Sequence, residues 1–337
     1  MDLSVIIVNW NSAPDLARCL SSLYAHTTGV EFEVIVVDNA SRDGCGAMLA
    51  DHFPQVTFVQ STNNRGFAAA NNLGVRHSSG SLLLFLNPDT EFTSPAIGRM
   101  MSVLESRPDA GIVGCRLLNA DGTVQTTCVQ TFPTIWNEAL DVEYLRRAFP
   151  RSRLWGNAVV YSDDELIAEV ECISGACLMI RRDVFNAVGG FCERYFMYVE
   201  DRDLCYAIRH PGYKTFFTSS CAVIHYGGTS SGLRPESDFA TLMRCESLLT
   251  FMRFRRGRIY ATLFRASVVI VAVGRLLALA LLSALGRPHA QRLSIPKRKW
   301  RAVLRWSAGY ESRRVEIGSV ESPRVLRSSR LRSSAHE

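Results

Sequence analysis

The stretch SLLLFLNPDTEF, residues 81–92, decides how the chain is built. Its apolar run, Leu82 to Leu86, has strand length and no polar interruption, which is the pattern of a buried strand. Asn87, Pro88 and Asp89 cut it off, and Glu91 follows two residues later. Pro88 cannot continue a central strand, and Asn, Pro and Asp are all turn formers. Taken alone, the tripeptide fits a plain turn. Its neighbours have to decide whether the carboxylate does chemistry.

Upstream, LSVIIVN (3–9) reads as another buried strand, followed by a helix with Ser12 as N-cap, Pro14 in its first turn and Leu16, Leu20 and Leu23 at helical spacing. FEVIVVDNAS (32–41) is a second strand ending at Asp38, VTFVQS (56–61) a third, and NNRGFAAANNLGVRHSSG (63–80) a loop and helix. Strands alternating with helices imply a mostly parallel sheet covered on both faces, with ligands at the carboxyl ends of the strands. Asn9, Asp38 and Asp89 would then share one edge. Arg65 and Gly66 start a helix, where unpaired N–H groups and the macrodipole favour a phosphate. No G-x-G-x-x-G follows the first strand and no G-x-x-x-x-G-K-[ST] occurs, which argues against dehydrogenases and P-loop NTPases.

Downstream, residues 119–170 are mixed. FPTIWNEALDVEYLRRAFPRSRLWGN suits either a substrate-contacting insertion or an ordinary amphipathic helix and loop. CISGACLMIRRDVFNAVGGF (172–191) reads as a strand, a short helix and a glycine turn. YFMYVEDRDLCYAIRH (195–210) puts Glu200, Asp201 and Asp203 at a helix start, which compensates the dipole even without chemistry. CAVIHYGGTSSG (221–232) ends a strand on His225 before a flexible Gly/Ser stretch.

The chain has 337 residues and is 47% hydrophobic, enough for a sizeable core. Its ten cysteines include no CxxC pair, and the N-terminus has none of the features of a signal peptide, so reduced thiols and a cytoplasmic setting are expected. The net charge of +6 is unevenly spread: residues 253–337 carry 19 Lys+Arg against 4 Asp+Glu, leaving the remainder acidic. A basic tail on an acidic body points to an anionic partner. A nucleic acid is disfavoured, because the tail follows a long apolar segment.

In this order, VIIVNWN, VIVVDNAS, NNRGFAAANN, FLNPDTEF, ISGACLMIRRDVF, FMYVEDRDLC and VIHYGGTS resemble the family 2 glycosyltransferases, in particular the bacterial rhamnosyltransferase-like branch. The resemblance covers residues 1–232. It implies an α/β GT-A fold, a Rossmann-like and mostly parallel sheet with helices on both faces, and inverting transfer from a nucleoside-diphosphate sugar with a divalent metal, Mg²⁺ or Mn²⁺. It implies that Asn9 and Asp38 contact the base and ribose, and that Asn64, Arg65, Gly66 and Asn72 lie near the diphosphate. Asn87-Pro88-Asp89 matches the metal motif, with Asn87 on the donor side and Asp89 and His225 as metal ligands. Asp201 matches the catalytic base and Glu200 its neighbour. Two departures stand out: Asn87 replaces the first Asp of Asp-x-Asp, and Cys192 stands where the family usually has Asp. The branch implies dTDP-L-rhamnose as donor and a lipid-linked or polysaccharide acceptor in cell-surface glycan synthesis. A galactofuranosyl or hexosyl transferase is the alternative, and a non-catalytic sugar-nucleotide-binding protein is the alternative from another class.

The expected organisation is a catalytic domain over 1–232, a helical membrane-associated segment over 233–290 and a basic, partly disordered tail over 291–337. ASVVIVAVGRLLALALLSAL, residues 266–285, is long enough to span a bilayer and carries one charge, Arg275. Arginines crowd both of its sides, so a single span would oppose the positive-inside tendency. On one continuous helix Arg258, Arg265, Arg275 and Arg287 share an arc of roughly 120°. That pattern predicts a monotopic helix on the inner face of the membrane, its guanidinium groups toward anionic headgroups.

Overall fold

The computed structural model describes residues 1–161, 166–227, 238–284 and 294–309. Its strands are β1 (Leu3–Asn9), β2 (Phe32–Asp38), β3 (Thr57–Gln60), β4 (Leu82–Leu86), β5 (Thr90–Phe92), β6 (Ala110–Leu118), β7 (Val129–Gln130), β8 (Ile167–Val170), β9 (Cys172–Ile173), β10 (Cys177–Arg181) and β11 (Lys214–His225). The helices are α1 (Ala13–His26), α2 (Cys45–His52), α3 (Gly66–Arg76), α4 (Ala96–Ser106), α5 (Ile135–Ala139), α6 (Glu143–Ala148), α7 (Arg182–Ala187), α8 (Glu200–Ala207), α9 (Phe239–Arg256), α10 (Arg258–Ala284) and α11 (Ser294–Ser307).

The main sheet runs β3-β2-β1-β4-β10-β6-β11-β5, with β8 also paired to β11. Its first four strands are parallel and in simple register, Asn9 facing Asp38 and Asp38 facing Gln60. β10 is antiparallel to both β4 and β6, and β5 and β8 are antiparallel to β11, so the sheet is mixed beyond β4. β1 is buried at all seven positions, its apolar run Val5 to Val8 flanked by Ser4 and Asn9, which are buried with side-chain partners. Each large side chain sealed there contributes about 1.5–3 kcal/mol.

Pro88 ends β4, and the chain turns into β5, which pairs with the end of β11. This register sets His225 opposite Thr90, one residue beyond Asp89. The turn therefore has a tertiary purpose, because it carries a carboxylate to a histidine 136 residues away.

The helices α9, α10 and α11 form a second packed layer, with its own apolar cluster of Tyr195, Val199, Leu248, Phe251, Met252, Ala261 and Phe264. Residues 294–307, expected within a partly disordered tail, form helix α11 on α10. Its Trp306 donates to Glu246 at 2.7 Å. Two of the three arginines of α10 also differ from expectation, while Arg258 is exposed. Arg265 caps the carbonyls of Trp306 and Ser307, and Arg275 lies over the Trp300 ring and reaches the Asp141 carbonyl. Unpaired carbonyls at the end of α11 and its indole rings offer these cations partners inside the protein. The face left outward is apolar: Ile259, Leu263, Ile270, Leu277 and Leu281 are all more than half exposed. Arg287 and the Gly/Ser stretch from 228 to 232 lie outside the described residues.

Candidate active site

A cavity of about 410 Å³ opens at the carboxyl ends of β1, β2 and β4. Trp10, Asn39, Asn64 and Gly66 form one wall, and Asn87, Asp89 and His225 a second. Ser174 to Ala176 with Glu200 to Arg202 form the third. Glu200, Asp201, Asn64, Gly66, Asn87, Asp89 and His225 thus meet around one space, although they come from four separate stretches of chain.

At the Asp89 corner, His225 Nε2 lies 3.3 Å from Asp89 Oδ1 and 3.4 Å from Asn87 Nδ2. The other ring nitrogen, Nδ1, lies 2.9 Å from Gln125 Oε1, while Gln125 Nε2 donates to the His225 carbonyl at 2.5 Å. An amide whose nitrogen already donates to a carbonyl must present its oxygen to the ring, so Nδ1 carries the proton. The Nε2 lone pair is then aimed beside a buried carboxylate oxygen. This donor pair suits a divalent cation: a hard oxygen, an imidazole nitrogen, and a hydrogen-bonded residue that holds the tautomer. Among the described residues no third His, Cys, Asp or Glu joins them, consistent with Asn87 standing in the first motif position. Gln125 was not legible in the sequence, since a lone glutamine in an unassigned loop carries no signal.

At the third wall, α8 is preceded by two residues in the left-handed region, Tyr198 (φ 70°) and Val199 (φ 71°). A β-branched residue there is costly, and burial of Val199 in the second apolar cluster holds it. This turn swings the first residues of α8 into the cavity. Asp201 Oδ2 accepts from the Gly175 N–H at 2.8 Å, and Oδ1 from the Arg202 N–H at 2.7 Å. Burial raises the Asp201 carboxyl above its usual range, and the two N–H groups and the Arg202 charge pull it partly back. Glu200 is pushed well above, first by burial and then by the Asp201 charge. Its Oε2 is buried without a hydrogen-bond partner among the described residues. Arg202 is turned away from the cavity centre, donating to the Thr131 carbonyl and pairing with Glu138 at 2.9 Å.

The donor-side residues divide. Asn9 and Asp38 do not line the cavity. Asn9 Nδ2 donates to Asp38 Oδ1 at 2.9 Å, and Asp38 Oδ2 accepts from the Ser41 N–H and from Gln60. They form a buried polar floor one residue below Trp10 and Asn39, which do line it. The helix start at Gly66 is not an open phosphate cradle. Asn39 accepts from the Arg65 N–H, Asn64 from the Gly66 N–H, and the Phe196 carbonyl from the Phe67 N–H. Gly66 itself has φ 84°, and a Cβ there would lie 2.3 Å from the Phe196 oxygen, so only glycine permits this closure. Arg65 extends outward to Glu193 at 3.5 Å, and Asn72 brackets the Phe191 backbone through both its amide atoms. These two sequence candidates are drawn to the loop at 191–193, whose open backbone and carboxylate compete successfully for them.

The chain is 29% identical over 252 residues to an N-acetylglucosaminyl-diphospho-decaprenol L-rhamnosyltransferase of Mycobacterium tuberculosis, covering 71% of this chain and 80% of that one. It is 23% identical to the rhamnosyltransferase WbbL of Escherichia coli, covering 76% and 93%. Among solved structures, the mannosyltransferase PcManGT of Pyrobaculum calidifontis, in complex with GDP-Man and Mn²⁺, superposes with a TM-score of 0.56 at 19% identity, over 91% of this chain and 86% of that one. At that identity the likeness establishes the GT-A fold alone. A sequence model described as glycosyl transferase family 2 matches residues 4–189, from β1 through α7, and with the strand-end cavity built on that frame the chain belongs to this family of enzymes.

Proposed function

We propose that the protein is an inverting rhamnosyltransferase that moves L-rhamnose from dTDP-L-rhamnose to a lipid-linked acceptor in cell-surface glycan synthesis. The observation that carries this reading is that a raised carboxylate, Asp201, and the Asp89–His225 pair line one cavity. The names of the relatives support the sugar and the acceptor class.

Inversion needs one displacement and one base. Asp201 serves as that base: its position fixes it by two backbone N–H groups, and its raised affinity for protons suits it to take the hydroxyl proton of the acceptor as the new bond forms. Burial and the Asp201 charge favour the neutral form of Glu200 beside it, which limits negative charge in the same wall. Asp89 and His225 would hold a divalent cation, Mg²⁺ or Mn²⁺, with Gln125 fixing the ring. When bound, that ion offsets the negative charge that builds on the departing nucleoside diphosphate. Asn64, Asn87 and the neighbouring Trp10 and Asn39 line the donor side.

The exposed apolar face of α10 supports attachment to the inner membrane face. The helix is 27 residues long and apolar enough to cross a membrane, and almost none of its span is buried. With Arg265 and Arg275 turned toward α11, it enters the interface by its leucine and isoleucine stripe, and the basic residues beyond it add attraction to anionic lipid.

A panel of nucleotide sugars titrated against the purified protein, followed by transfer assays, tests the reading. Asp201→Asn should keep donor binding and lose about 10²–10⁴ in turnover. Near-normal transfer by a folded Asp201→Asn protein would overturn the assignment of the base.

A further inference from the structure

A second cavity, of about 360 Å³, adjoins the first, and Tyr198 and Arg244 stand in the walls of both. It lies among α5, α9, α10 and α11. One side is apolar, formed by Leu248, Phe264, Val268 and Val271. The other is cationic, formed by Arg244, Arg275 and Lys299. Two of these cations converge on one residue: Arg244 Nη2 lies 2.9 Å from Asp141 Oδ2, and Arg275 Nη2 lies 3.3 Å from the Asp141 carbonyl oxygen. The local carboxylates are also held by other arginines, Asp141 by Arg146 at 2.6 Å and Glu138 by Arg202 at 2.9 Å. Arg244 also pairs with Glu138 at 2.9 Å, so three cations and two carboxylates line the cavity and leave it net positive. Trp300 stacks on Arg275, with the guanidinium carbon 4.1 Å from the ring centre, which holds that cation in place.

An anion alone would be served by the arginines and has no use for the apolar side. A hydrocarbon alone would not favour three cations. A ligand that joins the two fits both halves, and the position of the cavity says which way it runs. One end meets the wall that holds Asp201, and α10, which forms another wall, turns its remaining apolar face outward at Ile270 and Leu277. From this juxtaposition we propose that the second cavity binds the phosphate group and first hydrocarbon segment of the lipid-linked acceptor. The sugar at its end then extends past Tyr198 and Arg244 to Asp201. This inference rests on the transferase reading above and adds the place where the acceptor is held.

The full chain is titrated with farnesyl diphosphate, a soluble lipid diphosphate, and with inorganic diphosphate and dihexanoylphosphatidylglycerol in separate arms. Farnesyl diphosphate should bind, and Val271→Trp, which fills the apolar side, and Lys299→Glu, which reverses a charge, should each weaken it about tenfold or more. Binding of dTDP should be unchanged in both. Lys299 is exposed, so its variant keeps the test valid if Val271→Trp disturbs folding. Inorganic diphosphate binding as tightly would reduce the cavity to a plain anion site. Equal binding of the phosphatidylglycerol, with the same sensitivity, would reassign it to bulk membrane lipid. Either result overturns the proposal, as does no binding of farnesyl diphosphate. In steady-state transfer the two variants should raise KM for a diphosphate-lipid acceptor and leave transfer to the same sugar on a short uncharged aglycone unaltered. Transfer to the lipid acceptor that ignores both substitutions refutes the cavity while leaving the transferase reading intact. Farnesyl diphosphate binding lost in both variants, in a protein that transfers no sugar, refutes the transferase reading instead.

Discussion

Replacing Gln125 with Leu removes the group that holds His225 in one tautomer. The substitution deletes the acceptor 2.9 Å from Nδ1 and the donor 2.5 Å from the His225 carbonyl, while keeping the volume similar. Nothing then requires Nδ1 to carry the proton, and the ring can turn its lone pair away from Asp89. Losing a hydrogen-bonded partner behind a metal ligand lowers affinity by about 10–100-fold, equivalent to about 1.4–2.7 kcal/mol. The lower end matches the loss of one ordinary hydrogen bond, about 0.5–1.5 kcal/mol. Mn²⁺ titrations with dTDP present, by calorimetry or by electron paramagnetic resonance of the free ion, read this directly. Gln125→Glu keeps an acceptor for Nδ1 and should recover most of the affinity, whereas His225→Ala loses a ligand outright and should fall below Gln125→Leu. A Gln125→Leu protein that binds Mn²⁺ within about twofold of the original would refute the second-layer role. So would Gln125→Glu falling as far as Gln125→Leu, because the tautomer would then be irrelevant.

Glu200 holds its proton more tightly folded than unfolded, so the unfolded chain ionises first as pH rises, and stability falls from the usual carboxylate range up to the raised value. Glu200→Gln should therefore melt higher than the original at pH 7–8 and close to it near pH 4; the same offset at both values would refute the burial argument. Arg255→Ala strands Asp203, which is 2% exposed and among the described residues would keep the Tyr195 hydroxyl at 3.2 Å, a loss of about 3–5 kcal/mol. Thermal denaturation should show that loss, with partial recovery on adding Asp203→Asn; a drop below about 1 kcal/mol would mean that water replaces the pair. Ile270→Glu with Leu277→Glu puts two charges on the outward stripe of α10 and should abolish flotation with phosphatidylglycerol vesicles while donor binding persists. Unchanged flotation in 0.5 M salt would place the membrane contact elsewhere.

Much of this molecule is local in origin. Apolar runs specify β1, β2 and β4, because a strand buried on both faces admits a polar side chain only where it finds a partner, as Ser4 does in Glu33 at 2.7 Å. Asn9, Asp38 and Asp89 stand where those runs stop, and parallel strands must bring their carboxyl ends to one edge. Asp89, Asp201 and His225 were thus legible as candidates, since each ends or begins a regular element. What the linear text does not contain is the partner of each group. Asn9 and Asp38 satisfy each other below the cavity, Arg65 and Asn72 are claimed by the loop at 191–193, and Arg265 and Arg275 face α11. Gln125 reaches His225 across 100 residues because β5 and β6 flank the end of β11. A hydrogen bond joins atoms about 3 Å apart in space, whatever their separation along the chain. Strand and helix follow from the spacing of apolar residues, whereas the pairing of polar ones was decided only when the sheet closed.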